Sequence, residues 1–294
     1  MATRTARIGA RIARASTAAA YWAGARLAPR TAARSAAKLW CRLPRNAGRR
    51  QDNRRGPGCL EMVPIPGDRH LAVETWGQDS APLVYLVHGW GGWRGQLGAF
   101  VGPLVEAGFR VLAFDSMSHG ESDPGPHGPN HSSGGEMIDS LEAVAAIYGP
   151  AAGVIAHSLG CATSARALVN GTFHADRLCF VAPSPDMAAI ARIYGRTLAF
   201  PERVIDLMIA DMAAWAKRPM GSFDLTAMAA TGALPPGLLV HDVRDKESRY
   251  RTAEEIHAAW EGGDLMTTEG YGHHRILLAP LVHAACVAMI AGAA

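Results

Sequence analysis

The hydrophobic pattern changes character twice along the chain. From Leu60 to Ile65 and from His70 to Trp76, apolar and polar residues alternate around Pro66-Gly67-Asp68, which predicts a β-hairpin. Leu83 to Val87 is an unbroken apolar run of the kind buried on both faces of a parallel sheet. A helix is predicted from about Leu97 to Ala107, a strand from Arg110 to Asp115, and a helix from Glu136 to Tyr148. Gly153 to His157 reads as a strand that passes at once into a helix reaching about Asn170, and Leu178 to Ala182 as the next strand. Buried strands alternating with helices predict a mostly parallel, doubly wound α/β sheet. Right-handed crossovers then gather the C-terminal ends of the strands into one site.

Residues 184–235 interrupt this alternation and read as an inserted helical cap, with helices at Met187–Tyr194 and from Pro201 to about Lys217. Met187, Met208, Met212, Met220 and Met228, with Trp215 and Phe223, supply its apolar side. They serve either as the core of the inserted helices or as an adaptable surface suited to an apolar substrate. The sheet pattern resumes at Gly237–His241, followed by a helix from Thr252, as its cap, to Trp260, a strand at Asp264–Thr268, and a closing helix from Arg275 onward.

Charge divides the chain differently. The 294 residues are 49% hydrophobic and 19% charged, enough for one large domain plus extras, and the net charge of +3 conceals an asymmetry. Residues 1–55 carry thirteen Arg and one Lys against Asp52 alone. The expected organisation is therefore a basic, partly helical N-terminal extension over 1–55 and a main domain over 56–294, with Arg45 to Gly58 as linker. Arg4, Arg7, Arg11 and Arg14 share one helical face. Three readings of it stay open: a solvated helix lying loosely on the domain, a helix at a membrane surface, and a transit peptide. Nucleic acid is not an expected partner, because the segment lacks interleaved aromatic residues for stacking. Cys41, Cys59, Cys161, Cys179 and Cys286 are odd in number, scattered and without C-x-x-C spacing. They read as reduced thiols, which implies a cytoplasmic protein with peripheral membrane contact as the variant. No run reaches the ~18–20 apolar residues of a spanning helix.

The chemistry centres on Ala156-His157-Ser158-Leu159-Gly160, where a strand turns sharply into a helix. Small residues two before and two after the serine allow the close packing that a nucleophile elbow requires. Ser158, Asp245 and His273 follow in that chain order, each just beyond a predicted strand. Asp242 competes with Asp245 as the acid, Asp186 is a more remote alternative, and His274 competes with His273 as the base. No paired metal-ligand spacing and no dinucleotide or phosphate loop is found, so neither a cofactor nor a metal is expected.

Six features in order carry a resemblance to the α/β-hydrolase superfamily over residues 60–294. They are His88-Gly89 after a buried strand, Ser118-His119-Gly120-x-Ser122 after the next, the elbow, a helical insertion, His241-Asp242-x-x-Asp245, and Gly270-x-Gly272-His273 before the last helix. Ala156 departs from the usual Gly of the elbow. The resemblance implies an α/β-hydrolase sheet with Ser158 as nucleophile, His273 as base, Asp245 as acid, and an oxyanion hole made by the backbone N–H groups of Trp90 and Leu159. It further implies that His88 and His119 are structural and that His157 is a packing residue. The activity to expect is hydrolysis of a small-molecule carboxylic ester or thioester, in the manner of serine esterases and lipases, with an apolar acyl or alcohol group. An acyltransferase would use the same three residues, and a non-catalytic binding protein would have no physical need for all of them.

Overall fold

Alternating side chains and the Gly67-Asp68 turn fold the first apolar runs into β1 (Cys59–Ile65) and β2 (Arg69–Trp76), an antiparallel pair with Val63 opposite Leu71. The structure is a computed structural model describing residues 4–44, 52–184 and 186–292, with side chains from Ser16 onward. The face of Arg4, Arg7, Arg11 and Arg14, and residues 45–51 of the expected linker, therefore lie outside the described part.

Six more strands follow: β3 (Leu83–Val87), β4 (Arg110–Phe114), β5 (Gly153–His157), β6 (Leu178–Val181), β7 (Gly237–Asp242) and β8 (Gly263–Thr268). Their order is β1-β2-β4-β3-β5-β6-β7-β8. β2 meets β4 antiparallel, and every pairing from β4 through β8 is parallel. β3, β5, β6 and β7 are buried along their whole length, as their largely apolar runs predict. α3 (Val101–Glu106) and α11 (Pro280–Ile290) contribute Leu104, Val282, Cys286 and Met289 to one apolar core with Val84, Leu86, Ile155 and Val240 of the sheet. α4 (Gly134–Tyr148), α5 (Leu159–Val169), α8 (Leu225–Ala229) and α9 (Tyr250–Ala259) pack in sequence as a further layer. α4 starts where Ser133 accepts a hydrogen bond from the Glu136 N–H, a regular N-cap.

Three local expectations need correction. The helix placed at Thr252 starts at Tyr250, because the chain arrives extended at Arg249, and no side chain caps it. The first turns after the Gly-rich loop are 3₁₀ over Arg94–Phe100 before α3 begins. The closing helix is broken: α10 (Gly272–Arg275) and a 3₁₀ turn precede Ala279, which Pro280 forces into an extended conformation.

Residues 43–186 and 223–294 cluster as one compact unit. It reaches back into the expected linker. The Asn53 amide groups bond the Gly95 and Gln96 carbonyls, and Arg54 binds both Asp52 and Glu74. Residues 1–42 and 187–222 form a second compact unit. In it, α1 (Arg4–Leu27) and α2 (Pro29–Trp40) share a core with α6 (Met187–Thr197) and α7 (Glu202–Ala216). Ala32, Ala33, Ala36 and Ala37 of α2 lie in that core with Val204, Ile205, Met208 and Met212. Tyr21 meets Phe200 edge-on at 5.4 Å, and Trp40 meets Tyr194 at 5.1 Å. The small alanines let the helices approach closely, and Met208, Met212 and Met220 are core side chains. Among the described residues no single helix is long and apolar enough to cross a membrane.

Candidate active site

β5 ends at His157 and α5 starts at Leu159, so the whole reversal falls on Ser158, at φ 54° and ψ −121°. This positive-φ conformation is costly for a residue with a side chain, on the order of 1–3 kcal/mol. The surroundings hold it. The Ser158 N–H donates to the Val181 carbonyl at 3.1 Å, and the Cys161 N–H to the Ser158 carbonyl at 3.1 Å. Gly160 packs on the end of β3 so closely that a Cβ there would lie 2.6 Å from the His88 carbonyl oxygen. Ala156 is fully buried between Val87 and Phe180 of the neighbouring strands, so the elbow accommodates a methyl group two residues before the serine.

The three expected residues meet. His273 Nε2 lies 3.0 Å from Ser158 Oγ, and His273 Nδ1 lies 2.7 Å from Asp245 Oδ2. Oδ1 of Asp245 accepts from the Glu247 and Ser248 N–H groups at 2.7 and 3.0 Å. Burial would raise the Asp245 carboxyl, but the hydrogen bonds from His273 and from Ser248 outweigh it and hold the group below the usual carboxylate range. Asp245 is thus an anion facing the ring nitrogen remote from the serine. His273 sits in α10 and not in an open loop, and its ring is buried. His274 points elsewhere, to Glu247 at 3.2 Å.

Asp242 has a different task. Its two oxygens accept from the N–H groups of Arg244, Gly270 and Tyr271 and from the Thr268 hydroxyl. It ties the turn after β7 to the turn after β8, the two segments that carry Asp245 and His273. Burial works against its ionisation, yet the backbone donors, led by Tyr271 and Arg244, keep its pKa low.

Two neutral histidines brace the same segments. His157 Nε2 donates to the His273 carbonyl at 2.9 Å, while its buried Nδ1 has no hydrogen-bond partner among the described residues. His241 Nε2 donates to the Ser248 carbonyl at 3.0 Å. Burial, ahead of every other influence, depresses both imidazoles, His157 the more strongly. His157 therefore does more than pack: it fixes the backbone of the residue beside Ser158.

The loop carrying Trp90 lies directly against the elbow, since a Cβ on Gly89 would come within 2.9 Å of Ser158 Cβ. Two further histidines hold this loop. His88 Nδ1 donates to the Gly89 carbonyl at 2.8 Å and its Nε2 accepts from the Ser116 N–H at 3.0 Å. His119 Nε2 accepts from the Gly91 N–H at 3.2 Å, and its ring meets Trp90 edge-on at 5.8 Å. Leu159 is the first residue of α5, where a helix leaves its N–H groups free of internal partners.

Sequence reasoning missed the buried charges beneath the loop. Arg94 is almost fully buried; its guanidinium binds Glu74 at 3.0 Å, Asp115 at 2.5 Å, and Glu121. Asp115 also accepts from the Arg94 and Glu121 N–H groups. A signal was present: Glu74 follows the buried run Leu71-Ala72-Val73, and Asp115 closes the apolar β4. Charges at such positions require partners. Among the described residues no cluster of three His, Cys, Asp or Glu side chains is placed to hold a metal ion.

A model of the alpha/beta hydrolase family matches residues 84–285. A stretch of 57 residues is 40% identical to the AB hydrolase superfamily protein YfhM of Bacillus subtilis, covering 18% of this chain and 18% of that protein. Among solved structures, the monoacylglycerol lipase of Paleococcus ferrophilus is similar at a TM-score of 0.58 and 22% identity, over 76% of this chain and 99% of that one. A thioesterase domain from the curacin biosynthetic pathway is similar at 0.58 and 16% identity, over 80% of this chain and 100% of that one. At these identities the structures speak to fold alone.

Proposed function

The chain belongs to the alpha/beta hydrolase family, and on that premise we propose that it is a serine hydrolase cleaving carboxylic esters or thioesters through an acyl-enzyme. The observation that carries this reading is the hydrogen-bonded chain from Ser158 through His273 to Asp245 at a strained elbow. In this reading Ser158 Oγ attacks the substrate carbonyl carbon as His273 Nε2 takes its proton. The Asp245 anion holds the Nδ1–H tautomer and stabilises the imidazolium. The N–H groups of Leu159 and Trp90 receive the negative charge that develops on the carbonyl oxygen. His273 returns the proton to the departing alkoxide or thiolate, leaving an acyl-Ser158 ester. Water, activated by the same imidazole, then releases the acid.

The lipase and the thioesterase domain among the similar structures make acyl esters and thioesters the first substrates to try. The preference for an apolar group rests on Trp90, because Met208, Met212 and Met220 are occupied in the core they share with α2. A fluorophosphonate probe should label the purified protein, and Ser158→Ala should abolish both labelling and hydrolysis of p-nitrophenyl butyrate. Equal labelling of that variant would end the proposal. Transfer of the acyl group to an alcohol or amine is the second reading, since the three residues serve it equally well. Product analysis with such acceptors present separates the two.

A further inference from the structure

The unit formed by residues 1–42 and 187–222 carries a charge that the rest of the molecule does not. It contains fourteen Lys and Arg against three Asp and Glu, while the remaining residues hold fifteen against twenty-three. We propose that the exposed face of α1 and α2 in this unit docks on the surface of an anionic phospholipid bilayer.

The hairpin of α1 and α2 has two sides of opposite chemistry. Ala32, Ala33, Ala36 and Ala37 are buried against α7, and this leaves Arg30, Arg34 and Lys38 exposed at a spacing of four, with Arg42 continuing the row. That spacing stacks the cations along one stripe. No acidic residue occurs before Asp52, so neither helix neutralises the stripe from within. Arg30 also borders an open cavity of about 560 Å³ with Pro29, Arg203, Asp206 and Leu207. Its one carboxylate, Asp206, is already paired with Arg192 at 2.9 Å. The cavity therefore offers two arginines and an aliphatic wall, a combination suited to a phosphate-bearing headgroup.

Charge alone would fit a nucleic acid as well. The apolar side chains decide for the bilayer. Trp22 is 47% exposed, Leu27 87% and Leu39 43%, large apolar side chains on the outer side of the two helices. Such groups gain nothing in water, whereas Trp and Leu beside Arg and Lys are the composition of helices that lie in a membrane interface. The Arg26 guanidinium lies 3.6 Å from the centre of the Trp22 ring, on the face a base would need for stacking. The Tyr21 hydroxyl joins Ser35 at 3.0 Å, linking the exposed sides of the two helices into one surface.

The test is flotation of the full chain with vesicles of phosphatidylcholine containing 30% phosphatidylglycerol, against vesicles of phosphatidylcholine alone. Binding to the anionic vesicles is expected in 50 mM NaCl, with loss in 500 mM NaCl as screening shortens to a few ångströms. Each basic residue near such a surface contributes about a factor of five, so Arg30→Gln/Arg34→Gln/Lys38→Gln should lower partitioning about a hundred-fold. An equal neutralisation elsewhere, Arg244→Gln/Arg249→Gln/Arg251→Gln, should bind as the native chain does. Trp22→Ser should weaken binding to the anionic vesicles in 50 mM NaCl. Ser158→Ala should float normally, so this result stands apart from the hydrolase reading, and thermal unfolding verifies that every variant is folded. Equal binding to both vesicle types, or a triple variant that binds like the native chain, overturns the proposal. So does retention by duplex DNA through the same three residues with no vesicle binding.

Discussion

Replacing Asp245 by Asn tests the site at its most constrained point. Oδ1 of Asp245 is engaged by two backbone donors, Glu247 N–H and Ser248 N–H, which cannot turn away. An asparagine must therefore keep its oxygen there and present its NH₂ to His273 Nδ1, 2.7 Å away. Two donors cannot share that contact. The imidazole relieves the clash by placing its hydrogen on Nε2, the nitrogen that faces Ser158 Oγ at 3.0 Å. In that tautomer it cannot take the serine's proton. The expected loss in kcat is about 10⁴-fold, the scale of the wrong-tautomer defect in serine hydrolases, or about 5 kcal/mol of barrier. KM should change little, because substrate binding does not use Asp245.

Asp242→Asn is the paired control. Each Asp242 oxygen accepts from two donors, so replacing one removes the acceptor either of the Arg244 and Gly270 N–H groups or of the Tyr271 N–H and the Thr268 hydroxyl. The cost should appear as about 1–3 kcal/mol of stability, with kcat within about ten-fold of the native value. Steady-state hydrolysis of p-nitrophenyl butyrate and urea unfolding of both variants give the two numbers. If Asp242→Asn loses 10³-fold or more while Asp245→Asn retains activity within ten-fold, the assignment of the acid is wrong.

Further expectations follow from the braces and the buried charges. His157→Ala removes the hydrogen bond to the His273 carbonyl and should lower kcat by up to about 10²-fold, the scale of a small misplacement; His157→Gln can still donate there and should recover most of it. Arg94→Met leaves Glu74 and Asp115 buried without their shared cation, and should cost about 3–5 kcal/mol in chemical denaturation. His88, His157 and His241 are all held neutral by burial, with pKa values below those of the unfolded chain. The unfolded state then binds more protons as pH falls below about 6.5, so stability should drop on acidification, by up to about 1.4 kcal/mol per pH unit for each histidine. A stability that stays level from pH 7.5 to 5 would contradict this. Removing residues 1–42 strips Ala32, Ala33, Ala36 and Ala37 from the core around Met208 and Met212, and limited proteolysis should then cut within residues 187–222.

The sheet was legible because its central strands are largely apolar, Leu83–Val87 without interruption, as burial on both faces favours. Ser158, Asp245 and His273 were legible through their order and their positions beyond strand ends. The preference for Asp245 over Asp242 came from the spacing of the resembled family. What Asp242 does instead escaped the sequence: it accepts from the Gly270 and Tyr271 N–H groups and the Thr268 hydroxyl, contacts across two strands that local pattern does not encode. The partnership of α2 with α7 escaped for the same reason. Alanines at Ala32, Ala33, Ala36 and Ala37 carry too weak an apolar signal to mark a core face, yet small size is what their packing against Val204, Ile205 and Met208 requires. The arginines of the same helix marked its outer side plainly, so the sequence showed what the segment turns to solvent and concealed what it packs on.

The histidines illustrate how this site separates support from chemistry. His88, His119, His157 and His241 each have a ring nitrogen hydrogen-bonded to a backbone carbonyl within the segments that meet at the site. A ring donating to a carbonyl is fixed in one neutral tautomer, and protonating a buried one adds an uncompensated charge. His273 differs in its partners: a carboxylate on one nitrogen and a hydroxyl on the other. That pairing leaves Nε2 free to accept a proton and places an anion where the resulting positive charge would form. Composition cannot distinguish these five imidazoles, since each lies beside apolar strands. What distinguishes His273 is that its nitrogens face a carboxylate and a hydroxyl able to give up a proton, where each of the other four bonds a backbone carbonyl.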